Sequence, residues 1–387
     1  MTIGVTVWPL TLPSALELHR DFGEIWSFET SDLHTLYGAN ASTNYSAPTA
    51  RKFEAMMTDS LLPPDSLYKA APYGQFDYYE RLASSGAYLL NLADIGRDPR
   101  GCPANYTPAQ LNATLQALAP TIERLRALDP EGTNTRPYVY GYDEQPPSCE
   151  HNIRALFGAV KERWPWVATA AVLNWPKGLP ADLPLDIWIV QYGVWTDAAA
   201  EQWKKSGASH QVFLYHCIEP SGPGYLNTFI ERPRTQGRLL YWLGAKYRAD
   251  GWLYYATDLW RPRPGTQKNP IRWIDGGAHT DFDPANYVWS PRTDIWANGD
   301  GQFVYPGLDE AGTPLPIASA RLELQRDAVE DMALLRLART RLGDAAVDAA
   351  ITKLVRSPTD HEDDREVAPA LLEATRRALA GQIMSLA

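Results

Sequence analysis

Short apolar segments alternate with amphipathic segments of helical length from about residue 77 to residue 257, and this alternation constrains the fold most. The apolar segments are continuous rather than polar at every second position, as expected of strands buried on both faces. Strands that alternate with helices form a parallel sheet with crossover helices. Because about eight such units fit and no G-x-G-x-x-G turn follows a strand, a closed barrel is favoured over an open dinucleotide-binding sheet.

The individual elements can be predicted from these segments. The predicted strands cover residues 3–8, 25–30, 87–92, 136–143, 167–174, 185–192, 211–216 and 251–257, and the predicted helices cover 51–60, 77–85, 107–128, 149–164, 197–206 and 232–248. Thr107 and Pro108 are typical of a helix N-cap and first turn. Pro63 and Pro64 predict a break in regular structure.

We therefore predict an α/β fold, a (β/α)₈ TIM-type barrel that need not be regular, with a C-terminal helical extension. Residues 1–24 form a lead-in, 25–318 the catalytic barrel, and 319–387 helices packed on the barrel. The Trp-, Pro- and Gly-rich stretch 261–312 has little periodicity. A loop this long inside a compact protein is usually functional.

The composition favours a carbohydrate ligand over a nucleic acid or a membrane. The net charge is −10, and no Lys/Arg-rich run offers the clustered positive charge that phosphates require. No apolar run reaches the length of a membrane span. The 14 Trp and 20 Tyr residues supply flat faces with polar handles, which suit the apolar C–H faces of sugars, although most of them belong in a core.

Cysteines and glycosylation sequons bear on the compartment. Three cysteines, Cys102, Cys149 and Cys217, allow one disulfide with a free thiol or three buried thiols. The sequons at Asn40, Asn44, Asn105 and Asn112 favour a secreted protein, and a cytoplasmic one is the alternative. No signal peptide opens the chain, so we expect an N-terminal part to be missing. The oligomeric state is not encoded in any feature that we recognise.

Asp143 and Glu144 are the candidate catalytic residues. They end an apolar strand, and in a barrel the active site lies at the carboxyl ends of the strands. Adjacent acids before Pro146 and Pro147 could equally form a solvated turn. The strand before the pair and the scarcity of cations at the same rim count against that alternative.

Other strand ends supply candidate sugar contacts with aromatic and amide groups. On position alone these are Asn174, Trp175, Gln191, Tyr192, Tyr215, His216, Tyr255 and Trp260. His216 could equally serve in the core. No H-E-x-x-H or comparable spacing occurs among the His residues, so we expect no metal and no cofactor. No G-x-S-x-G elbow appears, which counts against an esterase.

The adjacency of the two acids suggests substrate-assisted hydrolysis. Retaining glycosidases with two carboxylates hold them about 5 Å apart across the scissile bond, which neighbouring residues on one strand end cannot easily do. In the assisted mechanism the 2-acetamido oxygen of the sugar attacks its own anomeric carbon. Asp143 would orient the acetamido N–H and Glu144 would act as general acid and base. We expect Asp143 to stay ionised and burial beside aromatic residues to raise the pKa of Glu144.

Several segments, in order, resemble the catalytic domain of glycoside hydrolase family 123, the β-N-acetylgalactosaminidases. They are residues 7–13 (VWPLTLP), 140–146 (YGYDEQP), 249–255 (ADGWLYY) with Trp260, 299–307 (GDGQFVYPG) and the helix 321–331. The resemblance implies terminal β-linked GalNAc as substrate, no metal, and the acetamido-orienting and acid/base roles at Asp143 and Glu144.

Departures from the family pattern affect the expected specificity. No N-terminal β-sandwich domain precedes residue 3, and Ala320 and Ala328 stand where we expect a larger apolar residue and a Gly. The alternatives are a β-N-acetylglucosaminidase, another glycosidase on the same barrel, or a non-catalytic carbohydrate-binding protein.

Overall fold

The computed structural model describes residues 7–28, 47–65, 67–68, 76–96, 102, 105–175, 178–222, 224–258 and 299–386, together with the backbone of 271–272 and 288–289. The predicted strand at 3–8, most of the loop 261–312, Asn40, Asn44 and Trp260 lie outside these residues. Within them, no helix is both long and apolar enough to cross a membrane.

Eight parallel strands form one sheet that is nearly closed into a barrel. The strands are β1 (Gly23–Ser27), β2 (Pro64–Asp65), β3 (Leu89–Ile95), β4 (Arg136–Gly141), β5 (Ala168–Val172), β6 (Ile187–Gln191), β7 (Gln211–His216) and β8 (Gly251–Tyr254). Their order is β2-β1-β8-β7-β6-β5-β4-β3, which follows the chain once around a ring. The predicted (β/α)₈ architecture is confirmed.

The ring opens between β2 and β3. Pro63 and Pro64 predicted a break, but Pro64 begins a strand of two residues that pairs with β1 alone. Proline has no N–H to give to a second neighbour, so it is tolerated at a sheet edge. Side chains span the opening: Asn91 donates to the Leu67 carbonyl at 3.3 Å, and the Tyr138 hydroxyl donates to Asp65 at 2.7 Å.

Helices surround the barrel and extend it at the C-terminus. They are α1 (Ala15–Asp21), α2 (Pro48–Asp59), α3 (Phe76–Ser84), α4 (Pro108–Leu128), α5 (Glu150–Arg163), α6 (Asp197–Ser206), α7 (Thr235–Tyr247), α8 (Ala320–Leu342), α9 (Asp344–Thr352) and α10 (Val367–Met384). Thr107 caps α4 as predicted, with a capping box to Gln110.

The strand faces divide the core into two layers. Alternate residues point into the barrel, where Tyr138, Tyr140, Phe213 and Tyr215 pack together. The intervening residues pack against the helices in a larger apolar layer. This division decides which strand-end side chains can reach the mouth of the barrel.

A buried network of charged side chains joins the C-terminal helices α8 and α10 to α7. Asp331 on α8 is fully buried and accepts from Arg238 on α7 at 2.8 and 2.9 Å. Arg376 on α10 pairs with the same carboxylate at 2.6 Å. Two charged partners offset the cost of burying that carboxylate.

Two hairpins were not predicted from the sequence. β9 (Val304–Leu308) pairs antiparallel with β10 (Pro314–Ala318), and β11 (Val355–Ser357) pairs with β12 (Asp360–His361). The first lies partly inside the stretch predicted as loop. Prolines at 306, 314 and 316 hide it, since proline demotes a strand prediction.

Candidate active site

The chain leaves β4 in an unusual backbone conformation. Tyr142 and Glu144 have φ values of 55° and 52°, which residues other than Gly rarely adopt. Such strain concentrates at functional sites, where the surrounding structure has to maintain it. The Glu144 N–H donates to the Val172 carbonyl at 2.8 Å, so the pairing of β4 with β5 continues past the strand end.

Asp143 is held by a tyrosine of its own strand. The Tyr140 hydroxyl donates to Asp143 Oδ1 at 2.7 Å. Burial, and then the Asp143 carboxylate, raise the pKa of Tyr140 well above its ordinary value, so this hydroxyl keeps its proton and acts as a donor. Asp143 is half-buried at the mouth of the barrel. Its carboxylate is therefore oriented from below by the barrel interior.

Glu144 ends a directed chain of hydrogen bonds that starts on β6. The Gln191 N–H donates to Asn174 Oδ1 at 2.9 Å, and this fixes the orientation of the Asn174 amide. Asn174 Nδ2 then donates to the Tyr215 hydroxyl at 2.7 Å and lies 3.5 Å from Glu144 Oε1. The Tyr215 hydroxyl donates to Glu144 Oε1. Among the described residues, only Oε1 has hydrogen-bond partners, and Oε2 is left for a substrate.

Tyr215 remains protonated in this chain. Burial, and next the hydrogen bond to Glu144, raise its pKa well above the ordinary value. Glu144 itself is exposed, whereas the sequence predicted a carboxylate buried beside aromatic residues. That prediction is wrong about burial. The polar contact with Tyr215 takes the place of the apolar surroundings that were expected.

The side chains of three predicted sugar contacts face away from the barrel mouth. At each of three strand ends the sequence indicated two adjacent residues, and side chains alternate along a strand. The first of each pair, Asn174, Gln191 and Tyr215, joins the hydrogen-bond chain described above. The second of each pair, Trp175, Tyr192 and His216, lies buried on the helix side of the strands.

These three side chains have structural partners there. Trp175 Nε1 donates to the Gln145 carbonyl at 2.7 Å, and the Tyr192 hydroxyl donates to the Leu226 carbonyl. Trp252 Nε1 donates to His216 Nδ1 at 3.2 Å, which leaves the His216 proton on Nε2, facing the Thr228 hydroxyl at 3.0 Å. Burial lowers the pKa of His216 to about 3. It is therefore a neutral core residue.

Tyr255 contacts the carboxylate of Asp300, a residue that the sequence analysis did not identify as part of the site. Its hydroxyl donates to Asp300 at 2.8 Å, and the Tyr254 hydroxyl donates to the other Asp300 oxygen at 3.1 Å. Asp300 lies in a turn between Gly299 and Gly301, which both have positive φ values. The turn brings a carboxylate against β8, which the glycines alone could not indicate.

Asp94 is a second acid that the sequence analysis did not identify. It lies at the end of β3 and is half-buried. Its charge contributes to the raised pKa of Tyr140, the residue that holds Asp143. The predicted strand ended at residue 92, so Asp94 was not placed at a strand end. Among the described residues, no group of three or more His, Cys, Asp and Glu is arranged to hold a metal ion.

A disulfide fixes the loop that follows Asp143 and Glu144. Cys102 and Cys149 are bonded, with Cα atoms 5.2 Å apart, and Cys217 forms no disulfide. Of the two alternatives that the sequence left open, the one with a single disulfide is therefore found. Cys149 ends the short 3₁₀ helix Pro147–Cys149, which leads from the Asp143–Glu144 turn into α5. The disulfide ties this turn to the connection after β3.

The architecture resembles that of a characterised enzyme. A family 123 glycoside hydrolase from Clostridium perfringens, studied for glycolipid glycan hydrolysis, superposes with a TM-score of 0.64 at 11% identity, over 97% of this chain and 72% of its own. At this identity the likeness shows the fold. An endo-β-N-acetylglucosaminidase from Cordyceps militaris reaches a TM-score of 0.34 at 11% identity, over 82% of this chain and 94% of its own. No curated protein matches the chain.

A family model provides the assignment. The model described as glycoside hydrolase 123, catalytic domain, matches residues 122–338, which is 217 of 387 residues and more than half of the chain. The matched range contains Asp143, Glu144 and every member of the hydrogen-bond chain that ends on Glu144. The family resemblance noted from the sequence is thereby confirmed, and it supports glycoside hydrolase activity. The chain belongs to the glycoside hydrolase 123 catalytic-domain family.

Proposed function

We propose that the protein is a retaining exo-β-N-acetylgalactosaminidase, which hydrolyses terminal β-linked GalNAc by substrate-assisted catalysis through an oxazolinium intermediate. The observation that carries this proposal is the separate support of two adjacent carboxylates. Tyr140 holds Asp143 and Tyr215 holds Glu144. Two acids on one strand end with different partners suit two different tasks on one side of a sugar.

Asp143 has the environment of an orienting carboxylate. One of its oxygens accepts from Tyr140 at the barrel mouth. In the proposed reaction, Asp143 accepts the acetamido N–H and stabilises the positive charge that develops as the acetamido oxygen attacks the anomeric carbon. The glycosidic bond breaks as this new C–O bond forms, so the intermediate is a bicyclic oxazolinium.

Glu144 has the environment of a proton donor and acceptor. It is exposed at the rim, and Tyr215 and Asn174 engage only Oε1. Glu144 would protonate the leaving glycosidic oxygen and then take a proton from the water that opens the oxazolinium. Both displacements occur at the same carbon, so the anomeric configuration is retained.

Whether the substrate must carry an acetamido group distinguishes the proposed mechanism from that of glycosidases that act on plain hexoses. A β-N-acetylglucosaminidase would use the same residues and differ only at C4 of the sugar. An enzyme for plain hexoses would need a second carboxylate across the bond from Glu144. Asp94, near the end of β3, and Asp300, which is hydrogen-bonded to Tyr254 and Tyr255, are then the residues to replace first.

A panel of matched chromogenic β-glycosides tests the proposal: GalNAc, GlcNAc, galactose and glucose. We expect cleavage of the acetamido sugars only, with GalNAc preferred. Efficient cleavage of galactose or glucose would contradict the proposal. Binding of these sugars without turnover would instead favour the non-catalytic carbohydrate-binding alternative.

A secreted or extracellular location is part of the same proposal. The Cys102–Cys149 disulfide is typical of oxidising compartments, and the sequon residues Asn105 and Asn112 are exposed. Expression in a secreting eukaryotic host should attach glycans at these two residues, detected as a mass shift that a glycosidase for N-glycans removes. Unmodified protein from such a host would count against this location.

A further inference from the structure

The peptide group that joins Asp143 to Glu144 is held at both of its polar atoms. Gln145 Nε2 donates to the Asp143 carbonyl at 3.0 Å, and the Glu144 N–H donates to the Val172 carbonyl of β5 at 2.8 Å. Because a peptide group is planar, its orientation sets ψ of Asp143 and φ of Glu144 together. It therefore decides the direction in which each of the two carboxylates leaves the backbone.

This orientation is one that the chain does not prefer by itself. Glu144 has a φ of 52°, a left-handed conformation in which the Cβ of an L-residue comes too close to the following carbonyl oxygen. Rotation of the peptide between Asp143 and Glu144 would relieve this strain, because it changes φ of Glu144 without redirecting the rest of the chain. The surrounding contacts therefore have to hold the peptide in place.

The side chain of Gln145 is itself fixed between the turn and the disulfide. The residue is half-buried, and only the –NH₂ of its amide can donate to a carbonyl, so the bond to Asp143 determines how the amide is turned. The other amide atom, Oε1, lies 3.6 Å from Cys149 Sγ, which is bonded to Cys102. Gln145 thus connects the peptide between the two acids with the disulfide.

Trp175 holds the backbone of Gln145 from the helix side of the barrel. Its indole N–H donates to the Gln145 carbonyl at 2.7 Å, and its ring is buried in the larger apolar layer of the core. Because the ring is packed on that side, this bond restricts where the Gln145 backbone can lie. Gln145 is therefore held through its carbonyl and holds the preceding peptide through its amide.

We propose that Gln145 is a positioning residue of the active site, which keeps the peptide between Asp143 and Glu144 in place, and that Trp175 acts on the same turn through the Gln145 carbonyl. Without the Gln145 amide the peptide rotates, and the two carboxylates no longer reach one sugar together. A displacement of about 1 Å can cost a factor of about 10² in rate. The inference rests on the proposed function for the roles of the two acids, and it does not depend on which sugar they act on.

Gln145→Met tests the proposal, because methionine has a similar length and cannot donate to the Asp143 carbonyl. Gln110→Met is the matched control, since Gln110 is exposed on α4 and its side-chain oxygen accepts from the Thr107 N–H at 2.9 Å. On the chromogenic β-glycoside that the wild type cleaves fastest, Gln145→Met should lower kcat by about 10- to 100-fold and change KM much less. Gln110→Met should match the wild type in both constants. Thermal unfolding checks that all three proteins are folded.

Hydrogen exchange follows the same turn without a substrate. The Glu144 N–H is protected by its bond to Val172, so it should exchange about five- to tenfold faster in Gln145→Met than in the wild type. Mass spectrometry of the fragment that covers residues 142–149 measures this. Equal exchange in the two proteins would overturn the proposal. Faster exchange with an unchanged kcat would overturn it as well, because catalysis would then not depend on the position of the turn.

Trp175→Phe provides a second variant, which loses the indole N–H and keeps an aromatic ring. We expect kcat to fall by about three- to tenfold. The double variant with Gln145→Met should lose less than the product of the two single losses, because both residues act on one turn. Losses that multiply would mean that Trp175 acts independently of Gln145, and its part of the proposal would fail.

This inference and the proposed function can fail separately. A wild type that cleaves no β-glycoside would contradict the proposed function, and hydrogen exchange would still decide whether Gln145 holds the turn. Wild-type activity that persists unchanged in Gln145→Met would leave the proposed function standing and overturn the role of Gln145.

Discussion

The Tyr215 hydroxyl on β7 donates a hydrogen bond to Glu144 at the end of β4, although two other strands separate β4 from β7 in the sheet. The contact crosses the mouth of the barrel. It joins the predicted acid/base to the opposite wall and fixes which carboxylate oxygen faces the substrate.

Tyr215→Phe should lower kcat/KM by about 10- to 100-fold, since a hydrogen bond to a charged group contributes about 1.5–3 kcal/mol. Steady-state hydrolysis of the preferred chromogenic glycoside measures this effect. Tyr192→Phe is the matched control, because its hydroxyl is buried on the helix side and donates to a backbone carbonyl. It should cost about 1 kcal/mol of stability and leave kcat/KM of the folded protein unchanged. Equal losses of activity in both variants would contradict the division between the two strand faces.

Gly141→Ala should destabilise the protein, because a Cβ at this position would lie 1.9 Å from the Ile95 carbonyl oxygen of the neighbouring strand. We expect a loss of about 2 kcal/mol or more in the free energy of unfolding, measured by urea denaturation. Gly158→Ala is the control. Gly158 lies in α5 with nothing within 4 Å of the added Cβ, so this change should stabilise the protein by about 0.5–1 kcal/mol. A Gly141→Ala variant as stable as the wild type would refute the close approach of β3 and β4.

The stability of the protein should depend on Glu24. This residue is buried against α7, and its carboxyl accepts from Trp26 at 2.7 Å and Tyr241 at 2.9 Å. Burial raises its pKa from 4.5 to about 8. The folded state thus prefers the protonated acid, whose stabilising contribution is complete below pH 4.5 and is lost as the pH rises to 8.

Glu24→Gln mimics the protonated acid and has no such dependence. Between pH 5 and 8, the stability of the wild type should therefore fall relative to the variant by up to about 1.4 kcal/mol per pH unit. Urea denaturation of both proteins across this range measures the difference. A difference that stays constant with pH would show that Glu24 is charged in the folded protein.

The sequence was sufficient for the fold because the strands of a barrel are continuous apolar runs between helices. It indicated the Asp143–Glu144 strand end for the same reason. It could not separate Asn174 from Trp175, or Tyr215 from His216, because strands that are buried on both faces carry no polar pattern to mark the interior.

Contacts that depend on distant segments were also beyond the sequence. Asp300 reaches Tyr254 and Tyr255 from 45 or more residues away along the chain. The exposure of Glu144 follows from the left-handed conformation of the turn. The sequence could not indicate this conformation, because residues other than Gly rarely adopt it. The pairing of Cys102 with Cys149 required the connections after β3 and β4 to be adjacent at the rim.

The central claim is that the acetamido oxygen of the substrate is the nucleophile and that Asp143 orients it. Hydrolysis of a series of chromogenic β-GalNAc glycosides, whose acetyl group carries zero to three fluorine atoms, tests this most directly. Fluorine withdraws electrons from the acetamido oxygen, so we predict that kcat/KM falls steeply along the series in the wild type. Asp143→Asn should already lose about 10²-fold or more with the unmodified sugar. Rates that stay level across the series would contradict the account, because a protein carboxylate would then have to be the nucleophile.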